Sequence, residues 1–175
     1  MIIWINGAFG AGKTETAYEL HRRLPDSFVY DPENVGYYIR ANIPDVMTKS
    51  DFQDHYLWRE INLSMLKYIA NEYNGTIIVP MTIVNPDYWM DIAGNLIKEG
   101  LEVHHFTLCA SRETLLKRLV GRGEGNGSWA LQQIDRCITG LNKDVFKDHV
   151  DTNNLTTLEV VEMIARKLDI NLTPT

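Results

Sequence analysis

The chain is poor in cysteine, has no long apolar run, no excess of positive charge and no Pro- or Ser-rich stretch, and each shortage excludes a class of protein. Its two cysteines, Cys109 and Cys137, stand far apart, too few for a disulfide scaffold; they fit a reducing compartment and read as packing residues. The apolar opening MIIWI ends after five residues, and no basic segment precedes it. It is therefore read as neither a signal peptide nor a membrane span, and a cytoplasmic protein is expected. Seventeen Lys and Arg against 23 Asp and Glu leave a formal charge of -6, which repels a nucleic-acid backbone, so nucleic acid is not an expected partner. With no linker and no repeat period, residues 1–175 are expected to form one domain.

What is present is ordinary in bulk and particular in order. Hydrophobic residues make up 45% and charged residues 23%, enough for a full core in a soluble globular chain. Ile2 to Ile5 is continuously apolar, the pattern of a strand covered on both faces in a parallel sheet. Similar runs are SFVYD (27–31), GTIIVPMT (75–82), LEVHHFTLCA (101–110) and, more weakly, HVDTNN (149–154). Helical patterns lie between them. Ser50 and Gln53 read as a capping box opening a helix to about Tyr73, with Ile61, Met65 and Ile69 on one stripe. A second helix follows Pro86, turns Ile92 and Leu96 inward and stops at Gly100; Ser111 caps a third, carrying Leu115, Leu116 and Leu119. Thr156 and Glu159 box the last, with Leu158, Val161, Ile164, Ala165 and Leu168 along its apolar face. Parallel neighbours can be joined only by such crossovers, so the expected fold is a three-layer α/β/α sandwich around a parallel sheet. GRGEGNGSWA (121–130), with four glycines, reads as a mobile loop between helices, part of a lid over about 118–130.

Directly behind the first strand, Gly7-Ala8-Phe9-Gly10-Ala11-Gly12-Lys13-Thr14 fits the pattern G-x-x-x-x-G-K-[ST] without a gap. The glycines open backbone conformations in which successive N–H groups turn inward around phosphate oxygens, and the next helix aims its positive end at the same anion. Lys13 adds a full charge for the outer phosphates, and the Thr14 hydroxyl is placed to hold Mg²⁺. The strand before and the helix after make a nucleoside triphosphate site a stronger reading than a flexible turn that happens to end in Lys-Thr.

Asp31 closes the second strand, where ligands bind in open parallel sheets. There a carboxylate can take the proton of an attacking hydroxyl, or it can simply form an Asx turn with Pro32; Glu33 is the nearby substitute. Arg118 and Arg122, four apart, can close over a transferring phosphoryl group, or serve only solvation and the helix dipole. Arg136 is a third such candidate. The third strand ends IIVPMT, without the acid that many phosphate-loop proteins place there for magnesium, leaving Asp31 or Thr82 as substitutes. Among Tyr37, Tyr38, Tyr56, Trp58, Tyr88 and Trp89 most are expected in the core, but Tyr37, Tyr38 and Tyr88, taken as loop residues, can line an acceptor groove that Arg40 and Asn85 would orient. His104 and His105 are neighbours in a strand and face opposite ways, so they are not expected to share a metal.

Taken together, MIIWINGAFGAGKTETAYELHRRL, FVYDPENVG, IIVPMTIVNPDYW, VHHFTLCASRETLLKRL and SWALQQIDRCITGL resemble the bacterial tunicamycin-resistance ATP-binding protein family over nearly the whole chain. The resemblance implies a nucleotide-kinase-like fold with five parallel strands in the order 2-3-1-4-5. It also implies an ATP-binding protein conferring resistance to tunicamycin, a uracil nucleoside antibiotic with a fatty acyl chain. Gly7 to Thr14 match the family's nucleotide site; Asp31, Arg118 and Arg122 match its kinase-like positions. Family members can carry a basic amphipathic C-terminal tail, whereas this sequence closes on KLDINLTPT, so attachment to a membrane through such a tail is not expected.

Two readings of function follow, and a third is disfavoured. The first is an ATP- and Mg²⁺-dependent phosphotransferase acting on a hydroxyl of a small nucleoside-like acceptor. The second is an ATP-gated protein that sequesters the drug without transfer. A phosphate-loop hydrolase or switch has no evident effector extension.

Overall fold

The computed structural model describes residues 1–125 and 127–174. Five parallel strands form one sheet in the order β2-β3-β1-β4-β5, with β1 Ile2–Gly7, β2 Ser27–Val29, β3 Thr76–Pro80, β4 Val103–Cys109 and β5 His149–Asp151. Central β1 runs in register with both neighbours, Ile3 opposite Ile78 on one side and His104 on the other. Helices cover both faces of this strand, and all six of its residues are buried. That is why its sequence does not alternate. β2 to β5 are each shorter than the run read for them, whereas β1 extends two residues past Ile5 to Gly7.

The helices are α1 Lys13–Arg23, α2 Glu33–Ala41, α3 Tyr56–Glu72, α4 Pro86–Trp89, α5 Asn95–Lys98, α6 Arg112–Gly121, α7 Trp129–Gln132, α8 Ile134–Leu141 and α9 Thr157–Leu168. A π-helical turn, Met90–Gly94, joins α4 to α5. Two expected caps form: the Ser111 hydroxyl accepts from the Thr114 amide, and Thr156 and Glu159 make a reciprocal capping box, worth about 1 kcal/mol or more for the last helix.

The Ser50–Gln53 box does not form. Asp51, one residue on, accepts from the Gln53 amide and opens only a 3-10 turn over Phe52–Asp54; the long helix starts at Tyr56. Nor is the segment after Asp31 a loop. It is α2, which presses Gly36 against Phe52, where a Cβ would lie 2.6 Å from the ring. Tyr37 and Tyr38 are therefore helical residues, both largely exposed. Arg118 sits on α6 and Arg122 is its C-cap, at the mouth of the Gly-rich segment, and residue 126 of the expected lid lies outside the described residues. No helix among the described residues is long and apolar enough to cross a membrane.

Candidate nucleotide and acceptor site

The phosphate loop connects β1 to α1, and its start is bolted to the segment after β3. The Asn6 carboxamide accepts from the amides of Gly7 and Ile83 and donates to the Ile83 carbonyl at 2.8 Å; the Thr82 hydroxyl donates to the Gly7 carbonyl at 2.7 Å. Both side chains are buried, so these bonds act at low dielectric. Thr82 thus serves the loop; it is buried and does not line the cavity that holds Lys13, Thr14 and Asp31. Gly7 itself has no room for a side chain, since a Cβ would approach the Leu108 carbonyl to 2.8 Å. Gly12 has φ 99 and forms the N-cap of α1 in the left-handed region, where glycine alone is unstrained.

Lys13 enters α1 immediately behind that cap. Its ammonium donates to the Ala8 carbonyl at 3.1 Å and lies 5.4 Å from the centre of the Phe9 ring. Burial lowers its pKa to about 8, against the opposing pull of Cys137, Glu33 and Glu15. A partly desolvated cation of this kind is held ready for an anion. Cys137 is 2% exposed, its thiol pushed up by burial; burial also raises Cys109, to about 11. Both are free thiols in packed surroundings, as expected from their spacing.

Two adjoining cavities flank the loop. The smaller, about 180 Å³, is lined by Lys13, Thr14, Asp31, Glu33, Arg122 and Glu124. The larger, about 410 Å³, lies between Gly10–Gly12 and a wall made of Arg118, Thr152, Leu155, Thr157 and Val160. The first is polar and carries charges that suit phosphate; the second has the volume of a small-ligand pocket. Its wall from the β5–α9 connection has no counterpart in the sequence reading.

Asp31 is held by the β2–α2 turn. Its Oδ1 accepts from the Glu33 amide at 2.9 Å, the Trp58 indole donates to the Pro32 carbonyl at 3.0 Å, and the Tyr30 hydroxyl donates to Asn62 at 2.7 Å beneath. Asp31 is thus both an Asx-turn residue and a wall of the small cavity. Glu33 shares that cavity, and its Oε2 accepts from the Tyr37 hydroxyl at 2.9 Å. Two carboxylates and the Thr14 hydroxyl around one pocket are hard oxygen donors of the kind Mg²⁺ takes. Among the described residues there is no group of three or more His, Cys, Asp or Glu that could hold a metal by themselves.

The expected arginines separate. Arg118 donates to the Thr152 hydroxyl at 3.2 Å and the Thr152 carbonyl at 2.6 Å, which fixes it at the larger cavity. Arg122, the C-cap of α6, lines both cavities and pairs with Glu15. Arg136 points elsewhere, both its terminal nitrogens 3.1 Å from buried Asp51.

Of the residues expected at an acceptor groove, Asp31 and Tyr38 line one apolar cavity of about 450 Å³, and the others do not line it. Tyr37 reaches the small cavity only through Glu33. Arg40 lies over the Phe52 ring and donates to the Ser50 carbonyl, because α2 carries it away from the strand ends. Asn85 caps α4 by accepting from the Asp87 amide and lines a separate cavity of about 610 Å³ with Arg136 and Lys143. Tyr88 donates to Asp54 and stacks under Arg59 at 4.1 Å. Trp58 and Trp89 are core residues. His104 bonds Glu102, whereas His105 packs between Trp89 and Phe146, with its pKa lowered to about 4 by burial.

A glycine-rich loop between a central strand and a helix, in a 2-3-1-4-5 parallel sheet, defines a P-loop, kinase-like domain, and the AAA domain family matches residues 2–141. A sugar kinase from Janibacter sp. HTCC2649 shares this fold at a TM-score of 0.67 and 16% identity, over 97% of this chain and 94% of that one. Shikimate kinase from Bacteroides thetaiotaomicron does so at 0.64 and 17%, over 97% and 99%. The chain belongs to the tunicamycin resistance protein family: it is 38% identical to the tunicamycin resistance protein of Deinococcus radiodurans over 99% of its own length and 98% of the other's, with a TM-score of 0.85. A search of curated proteins finds no significant match.

Proposed function

We propose that this protein is an ATP- and Mg²⁺-dependent phosphotransferase acting on a hydroxyl of a small nucleoside-like acceptor, with tunicamycin as the candidate drug and resistance as the outcome. The observation that carries the reading is the small cavity, where the lysine and hydroxyl of the phosphate loop share walls with Asp31 and Glu33. Backbone amides of Gly7 to Lys13 and the Lys13 ammonium bind the polyphosphate, while the base and sugar occupy the cavity beside Arg118. Thr14, with Asp31 or Glu33, would hold Mg²⁺, which when bound neutralises charge on the phosphate oxygens. Asp31 orients the acceptor hydroxyl and receives its proton at the carboxylate oxygen not engaged by the Glu33 amide. Arg122 stabilises negative charge on the group being transferred. Mass spectrometry of tunicamycin incubated with protein, ATP and magnesium tests this. A gain of one phosphoryl group is expected, and an unchanged drug after long incubation would overturn it.

One observation favours a second reading, ATP-gated sequestration without transfer: Asp31 already has a structural task in its turn. That reading requires tight, ATP-enhanced drug binding that survives Asp31→Asn, with no modified drug.

A further inference from the structure

The phosphate loop carries an acid that its pattern does not call for. Glu15 follows Thr14 directly, in the first turn of α1, where the helix dipole and the loop gather positive potential. Its carboxylate receives the Nη2 hydrogen of Arg122, 107 residues away in sequence. Both residues line the larger cavity, and both line the smaller one. The ion pair therefore borders both cavities, together with Gly10 and Gly12 of the loop.

We propose that Glu15 occupies Arg122 in the empty cleft and yields it to a polyphosphate. The proposal rests on the reading of the cleft as a nucleotide site. The exchange is favourable for a simple reason. The paired side chains are 47% and 45% exposed, and exposed ion pairs contribute little. Phosphate oxygens offer the same guanidinium a charge-assisted, bidentate contact while the loop amides hold them from the other side. Glu15 thus competes weakly with the ligand for the arginine. Without the carboxylate, the phosphates would meet an unoccupied arginine and one negative charge fewer.

Calorimetric titration of MgATP into the wild type, Glu15→Gln, Glu15→Asp and Arg122→Ala tests the idea. Aspartate keeps the charge but is one methylene too short to hold the pair. Both substitutions at position 15 are expected to tighten ATP by about twofold to fivefold, the worth of an exposed pair, and Arg122→Ala to weaken it by about tenfold. If Glu15→Gln tightens binding and Glu15→Asp behaves as wild type, only the field of the carboxylate matters and the proposal fails. If both weaken binding, Glu15 holds Arg122 in its working position and the exchange is refuted. An Arg122→Ala protein that binds as tightly as wild type also refutes it. Failure of the underlying reading looks different: wild type would not bind MgATP, or Lys13→Ala would bind it equally well.

Discussion

The lowered pKa of Lys13 makes nucleotide binding pH-dependent in a calculable way. The ligand-free lysine is protonated below about 8 and neutral above it, and only the ammonium attracts phosphate. If the bound form keeps its proton, the association constant falls by the factor 1 + 10^(pH - 8): by about twofold at pH 8 and about tenfold at pH 9, relative to neutral pH. The ligand-free protein moves the other way. Between about 8 and the ordinary lysine value of 10.5 the unfolded chain binds the proton that folded Lys13 has released. Stability from this group therefore rises with pH across that window, by up to about 3 kcal/mol. Isothermal titration of MgATP at pH 7, 8 and 9, with thermal melts of the free protein, reads both effects. Lys13→Met should bind weakly and without pH dependence. A wild-type affinity that stays flat to pH 9 would refute the assignment of a desolvated lysine facing the phosphates.

Three further outcomes are expected. Asp31→Asn should lower phosphoryl transfer by about 10²- to 10⁴-fold while leaving ATP affinity within about twofold, which single-turnover kinetics and calorimetry separate; equal losses in both would make Asp31 a binding residue. Gly7→Ala should cost about 1–3 kcal/mol in urea unfolding, because its Cβ meets the Leu108 carbonyl at 2.8 Å, whereas Gly121→Ala in the last turn of α6 meets nothing within 4 Å and should stabilise by about 0.5–1 kcal/mol. His105 has a folded pKa of about 4 against 6.5, so its contribution is intact above 6.5 and lost as pH falls toward 4, by about 2–3 kcal/mol. His105→Phe should flatten that acid limb of the stability curve, and an unchanged limb would assign it to other groups.

The parts of this site legible in the sequence are those whose physics is local. Gly7 to Thr14 declare a loop between a strand and a helix by spacing alone, and Ser111 and the Thr156–Glu159 box mark helix starts because their partners lie three residues away. The unread parts depend on distant partners. α2 was hidden because Asp31-Pro32 reads as a turn and Gly36 interrupts its pattern, yet the glycine is there to admit Phe52 from the next segment. Ser50 failed as a cap because neighbouring Asp51 is buried against Arg136, on a helix far along the chain. The wall of Thr152, Leu155 and Thr157 joins the loop only because β5 ends beside β4, which the Thr152 amide confirms by bonding the Cys109 carbonyl at 2.7 Å. Arg40, Asn85 and Tyr88 follow strand ends closely in sequence, and in the structure each completes a cap or a stack.

Every proposed role of this site requires the phosphate loop to grip a polyphosphate beside Asp31. Calorimetry of MgATP with wild type and Lys13→Ala at pH 7 addresses that most directly. One site per chain is expected, weakened about tenfold or more without the ammonium. An isotherm without heat for the wild type, or one that Lys13→Ala leaves unchanged, would contradict it.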